Sequence, residues 1–173
     1  MRGVIRNETR ILSEEDTLAL LNEAEHGVLA TINQKGQPCT TALNHVYVNG
    51  FIYFHSGPEG EKLENIRANP EVSYFVTGVA EVLYDQFTTA FSSAVVNGRM
   101  QVVADPEEKL MALRALVGRY SSEIIPKDVV RDFIANGVDC IEMLRLTPEH
   151  ITGKARLTRK RPCLVYEALE IPT

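Results

Sequence analysis

Apolar and polar positions along the chain change period several times, and each change marks an element. From about Ser13 to Glu25 the apolar residues Leu18, Leu20, Leu21 and Ala24 fall on one side of a helix. Ser13 is a good N-cap with Asp16 at N3, and Gly27 supplies a stop. Val28, Ala30 and Ile32 then alternate with Leu29, Thr31 and Asn33, which predicts a strand. Gln34-Lys35-Gly36-Gln37 reads as a turn, and a second strand runs from about Cys39 to Val48. Asn49-Gly50 between two β-rich runs predicts a type I′ hairpin, with Phe51 to Ser56 as its return strand. Here Phe51, Tyr53 and His55 share one face and Ile52 and Phe54 the other. If the second face fills the core, the first carries two aromatics outward, and an outward aromatic face wants a partner subunit or a flat ligand.

Gly57-Pro58-Glu59-Gly60 breaks the sheet. Glu61 to Ala68 follows as a short helix ended by Asn69-Pro70. Two long β segments come next, about Val72 to Leu83 and Phe91 to Ala104, and Gly98 inside the second marks a bulge or a close backbone approach. Asp105-Pro106 caps and opens a helix to about Arg119. A further helix covers Lys127 to Ala135, closed by Gly137, and Val138 to Leu146 and His150 to Leu157 are the last strands. Six or seven strands without βαβα alternation predict a mainly β (α+β) fold, a mostly antiparallel barrel with peripheral helices.

The chain has 173 residues, and this length predicts a single domain, residues 1–173, with its core in about 13–157 and a tail in 158–173. Lys and Arg number 18 against 23 Asp and Glu, a net charge of -5, which argues against a general nucleic-acid binder. No apolar run approaches a membrane span and no signal-peptide pattern is present. Cys39, Cys140 and Cys163 are odd in number and lack metal-type spacing, so reduced cysteines and a cytoplasmic location are expected.

Several chemistries find no support. G-x-S-x-G is absent, and His26, His45, His55 and His150 form no metal-binding grouping. The Gly57–Gly60 segment lacks the spacing of a phosphate loop. It nevertheless leads a strand ending in His55-Ser56 into a helix whose first turn offers free N–H groups and the positive end of the dipole. Lys62 in that turn is unfavourable for the helix, and a bound anion would relieve the conflict; equally, the side chain can point into water. The basic run Lys154, Arg156, Arg159, Lys160 and Arg161 reads as a solvated tail, or with Lys154 as part of an anion site.

Gly27-Val28-Leu29-Ala30-Thr31, Ala42-Leu43-Asn44-His45-Val46-Tyr47, Ile52-Tyr53-Phe54-His55-Ser56, Gly60-Glu61-Lys62 and Asn65-Ile66-Arg67-Ala68-Asn69-Pro70 occur in an order and spacing that resemble the pyridoxamine-phosphate-oxidase-like split barrels. The likeness is greatest to their nitroimidazole-resistance (Nim) branch. Ser93 to Arg99 and the helix opening Asp105 to Lys109 fit the same pattern, so the resemblance covers roughly residues 13 to 155. It implies a split β-barrel homodimer with FMN at the subunit interface. The strand of Thr40, Thr41, Ala42, Leu43 and Asn44 would run along the isoalloxazine ring. Phe54, His55 and Ser56 would lie beside the ring and ribityl chain, and Lys62 would meet the phosphate. Ser93 would come from the long strand, often across the dimer.

Departures from the oxidase pattern shape the expected activity. Oxidases of this family carry arginines in the ring-side strand and beside the phosphate lysine, where this chain has Cys39 and Glu61. The family's C-terminal Trp and Arg-x-His substrate pattern are also missing, since the chain has Trp 0. Oxidation of pyridoxamine phosphate is therefore not expected. The expectation is a reductase passing electrons from a nicotinamide donor to a small acceptor such as a nitroimidazole, with His55 as proton donor or ring-positioning group. The alternative is a carrier or sensor of flavin or haem, the latter through His26, His45, His55 or His150. F420 is a third ligand with a flat ring and an anionic tail.

Overall fold

The computed structural model of the protein describes Ile5, residues 7–121 and residues 125–156. The strands are β1 (His26–Ile32), β2 (Pro38–Asn44), β3 (Val46–Val48), β4 (Phe51–Ser56), β5 (Glu71–Leu83), β6 (Thr88–Val102) and β7 (Glu142–Arg156). The helices are α1 (Glu14–Glu23), α2 (Glu61–Ala68), α3 (Pro106–Tyr120) and α4 (Lys127–Gly137). The strands make one antiparallel sheet in the order β2-β1-β5-β6-β7-β4-β3. Its two edges, β2 and β3, are consecutive in the chain with only His45 between them. The sheet must therefore curl until its edges meet, and the result is the expected split barrel.

Alternation along each strand fills the barrel. Leu29, Ile52, Phe54, Tyr74, Val76, Ala94, Val96, Leu144 and Leu146 are buried inside it, with Leu20 and Leu21 of α1 and Leu63 and Ile66 of α2 closing its ends. A second apolar cluster lies on the other side of β4 and β7. There Tyr53 and Met143 pack under Leu113, Leu116 and Val117 of α3, with Phe51, Val130, Ile134, Val138 and Ile141 around them. The aromatic face of β4 is thus covered by α3 and α4, not by a subunit or a flat ligand. The Tyr53 hydroxyl donates to Glu108 of α3 (2.8 Å), which also accepts from Arg145 (2.8 Å).

Local signals placed most boundaries. Ser13 accepts the Asp16 N–H and Asp105 accepts the Glu108 N–H, as capping requires. Asn49 and Gly50 take φ 52° and 84°, the positive pair that a type I′ turn needs.

Four expectations are corrected. Gly27 does not stop α1, which ends at Glu23; it lies within β1, where a side chain would run into Tyr74 and the Phe75 carbonyl. The strand expected over Cys39 to Val48 is broken at His45. Gly137 belongs to α4, and Val138–Cys140 continue as a 3-10 turn instead of starting a strand. The reason is the spacing of Val130, Ile134, Val138 and Ile141, which keeps one face on the second cluster past the glycine. Lastly, β7 runs unbroken through Pro148, which pairs with Gly98 where β6 shifts register. A proline is tolerated beside a bulge because a ladder donor is not required there. Leu157 and the tail lie outside the described residues.

Candidate functional site

Two cavities of opposite character lie at the two ends of β2. The first, of about 200 Å³, is lined by Thr31, Cys39, Thr40, Thr41, Gly60, Glu61, Lys62 and Asn65. Gly60 positions it: a φ of 132° is open to glycine alone, and this turn starts α2 with no side-chain cap on its first N–H groups. Asn65, on the buried face of α2, donates to the buried Thr31 hydroxyl (3.1 Å), fixing the helix against β1. Lys62 is half-buried and supplies the only positive side chain in this lining. Glu61 supplies a negative one, and its carboxylate accepts the Cys39 thiol at 3.3 Å. Desolvation raises the Cys39 pKa, and the Glu61 hydrogen bond and charge raise it further.

The second cavity, of about 260 Å³, is lined by Asn44 and His55 on the sheet and by Leu113, Leu116, Val117, Tyr120, Ser121, Phe133 and Ile141. Most of these are apolar, and His55, exposed at the end of β4, is the one titratable group here apart from the Tyr120 phenol. Between the cavities β2 presents Thr40, Ala42 and Asn44 to solvent and keeps Cys39, Thr41 and Leu43 half-buried. At ~3.4 Å per residue, Thr40 and Asn44 stand about 14 Å apart. Ala42 is level with Val28, Phe75 and Val95 across the sheet, so an apolar stripe crosses this outer face.

A buried polar cluster holds the break between β2 and β3. His45 is 0% exposed; its Nε2–H donates to the Leu21 carbonyl (2.7 Å) and its Nδ1 lies 2.9 Å from the Tyr74 hydroxyl, which also donates to Leu43 (2.8 Å). From α3, the Tyr120 hydroxyl lies 2.6 Å from the Glu25 carbonyl and 2.8 Å from that of His45, while Arg119 donates to Ala24 (2.6 Å). These bonds align the start of β1 and the end of β2 with the wall of the apolar cavity.

The expected site residues separate into groups. Thr40, Thr41 and Lys62 come together in the polar cavity, and Asn44 and His55 in the apolar one. Ala42 lies on the open strip between them. Leu43 packs against the barrel core. Phe54 is 0% exposed, its ring against Tyr74 at 4.9 Å, so its side chain meets no ligand. Ser56 is buried and donates to Gly57. Ser93 shares the outer face but lies on β6, three strands from β2, roughly 14 Å across the sheet.

Lys154 lies beside the Phe91 ring (5.8 Å) and outside both cavities. Arg159, Lys160 and Arg161 fall outside the described residues. His45 cannot serve a haem, because both ring nitrogens are engaged. Among the described residues no three His, Cys, Asp or Glu side chains group as a metal site. Thr31, Asn65 and the Cys39–Glu61 contact were missed as site features. The one available signal was Asn65, a polar residue between the apolar positions Leu63 and Ile66 of a short helix.

The polar cavity fits the phosphoryl end of a cofactor in its hydroxyls, amide, lysine and uncapped helix start, and opposes it in Glu61 alone. It is too small for a flat three-ring group, which would have to lie outside it along β2.

Solved structures share this architecture. A candidate 5-nitroimidazole antibiotic resistance protein from Bacteroides thetaiotaomicron matches with a TM-score of 0.68 at 22% identity, over 83% of this chain and 85% of that one. An FAD-binding protein from Mesorhizobium loti matches with a TM-score of 0.63 at 25% identity, over 86% and 98%. An FAD and heme binding protein from Mycobacterium smegmatis matches with a TM-score of 0.69 at 16% identity, over 87% and 75%. No curated protein sequence matches. The profile of the pyridoxamine 5'-phosphate oxidase family spans residues 13–155, nearly the whole described globule. The chain belongs to the pyridoxamine 5'-phosphate oxidase family, and it shares its fold with a candidate nitroimidazole-resistance protein.

Proposed function

We propose that the protein is a flavin-binding reductase of a small, uncharged acceptor, acting as a homodimer. The observation that carries this reading is the pairing of a polar, lysine-bearing cavity with an apolar, histidine-bearing one at the two ends of a single exposed strand. An elongated ligand with an anionic tail and a flat ring suits that arrangement. Its tail would enter beside Lys62, Thr40, Thr41 and Asn65, and its ring would lie along Thr40, Ala42 and Asn44. A bound flavin supplies the capacity to take up and give back hydride. The chain supplies the rest: Lys62 balances charge, the apolar walls exclude water, and His55 can hand a proton to the acceptor.

The FAD-binding relative supports a flavin, and the candidate nitroimidazole-resistance relative supports a compact acceptor of that kind. At about 260 Å³ the apolar cavity exceeds the ~150 Å³ that encloses benzene, so it admits one substituted ring. Dimerisation is supported by surface chemistry. Val28 and Phe75 are 38% and 42% exposed on the outer sheet face, and the tip of the β5–β6 hairpin exposes Tyr84 and Phe87 at 78% and 98%.

The absorbance spectrum of the isolated protein tests the proposal. A flavin spectrum bleached by NADH or NADPH and restored by a nitroimidazole is the expected result. A bound flavin inert to every donor favours the second reading, a carrier, and a Soret band favours the haem form of it. That reading draws on the relative that binds both FAD and heme.

A further inference from the structure

Two residues of the polar cavity are in contact with each other: the Cys39 thiol donates to the Glu61 carboxylate at 3.3 Å. This contact joins β2 to the first residue of α2 and holds a negative charge on the wall of the polar cavity. Lys62 is the only positive side chain in that wall, so the pair of side-chain charges cancels. What remains to attract an anion is the helix start and the hydroxyls and amide of Thr31, Thr40, Thr41 and Asn65. Such a wall suits a phosphoryl group with one negative charge better than one with two.

We propose that Glu61, held by Cys39, selects a cofactor tail whose phosphoryl groups are each substituted on both sides, by ester or anhydride bonds, and so each singly charged, as in FAD and F420, over the terminal phosphomonoester of FMN. This rests on the flavin reading above and names the tail that the same cavity takes. A phosphomonoester carries close to two charges at neutral pH because its second ionisation falls near pH 6. A diester or pyrophosphate has no ionisation there. Affinity for FMN should therefore depend on pH in a way that affinity for FAD does not. Cys39, Glu61 and Lys62 are the titratable side chains that face the tail in this cavity. The first keeps its proton through this range because its pKa is raised.

The test is equilibrium binding to flavin-free protein, followed by fluorescence, of four probes: FMN, FAD, F420 and riboflavin. At about pH 8 the wild-type protein should bind FAD or F420 more tightly than FMN, and the two separate arms tell which of the two it prefers. Acidification to about pH 5.5 should strengthen FMN binding on the order of five- to tenfold, the effect of one like charge nearby in a partly wet cavity. FAD binding should stay within twofold. Glu61→Gln should narrow the FAD-over-FMN preference by a similar factor at pH 8, and Cys39→Ala, which frees the carboxylate to leave the wall, should do so in part. Tighter binding of FMN than of both FAD and F420 by the wild type at pH 8, or an equal change for FMN and FAD in Glu61→Gln, overturns the assignment of Glu61. Binding of none of the four probes overturns the flavin reading itself.

Discussion

His45 has no solvent contact, yet it carries an ionisable ring at the one point where β2 gives way to β3. Desolvation lowers its pKa to about 4 against the help of the Leu21 carbonyl, and the Arg119 and His26 charges lower it further. In the unfolded chain the same ring titrates near 6.5. Above that value His45 is neutral in both states; between it and about pH 4 only the unfolded chain takes up the proton. Stability should thus be fully present above the unfolded pKa and fall with acid by up to ~1.4 kcal/mol per pH unit, roughly 3 kcal/mol altogether. Denaturant titrations of wild type and His45→Gln between about pH 7 and pH 4.5 measure this. The variant should show the flatter dependence, and identical slopes would reject the buried neutral ring.

Lys62 poses the opposite case, a charge kept available. Lys62→Ala should weaken flavin binding by about 1.5–3 kcal/mol, the range for a hydrogen bond to a charged group. Titration calorimetry would show the loss, and an unaltered dissociation constant would remove Lys62 from the tail site.

At the scale of elements, α3 does more than cover β4. Tyr120 in its last turn reaches the carbonyls of Glu25 and His45, so one hydroxyl ties the helix to the ends of β1 and β2. Tyr120→Phe should cost about 1–3 kcal/mol of stability by removing this donor, although the Glu25 carbonyl keeps the Asn44 amide. It should also loosen the wall of the apolar cavity, which thermal unfolding and acceptor affinity would register together.

What could be read from the sequence follows the same division. β4 and α2 carry their limits locally, in an Asn-Gly turn, a glycine start and an Asn-Pro stop, and they lie where the pattern predicted. The break at His45 could not be read, because no Gly, Pro or turn pair interrupts Cys39 to Val48. What breaks the strand are Tyr74 and Tyr120, 29 and 75 residues away. The gap expected between Leu146 and His150 closes for a related reason: Pro148 pairs with Gly98, and the bulge falls at Glu149 beside it. Gly98 itself was legible as a mark of close backbone approach, and a side chain there would meet the Thr147 backbone. Gly98→Ala should cost about 1–3 kcal/mol through enforced overpacking, seen as a lowered melting temperature. In the site, Lys62 and His55 were legible as chemistry out of place, whereas the Cys39–Glu61 contact joins residues 22 positions apart and needed the fold.

The whole molecule has an acidic balance, a net charge of -5, and an outer sheet face crossed by apolar residues. Phe75 sits at the middle of that stripe. Phe75→Glu should convert the proposed dimer to monomers without changing the β content, which sedimentation and circular dichroism would report. A variant that stays dimeric places the interface elsewhere. No described helix is long and apolar enough to cross a membrane.

The strand order carries one more consequence, for synthesis. β7 is inserted between β6 and β4, so the partner of Phe54 is Leu144, about 90 residues later in the chain. At a ribosomal pace of roughly 5–20 residues per second, β4 waits about 5 to 18 seconds for its neighbour. During that interval the β3–β4 hairpin has a bare inner edge, and Asn44 and His55 of the apolar cavity stand on halves of a sheet not yet joined. The barrel thus closes late and at one seam, after nearly all of its folded part has left the ribosome.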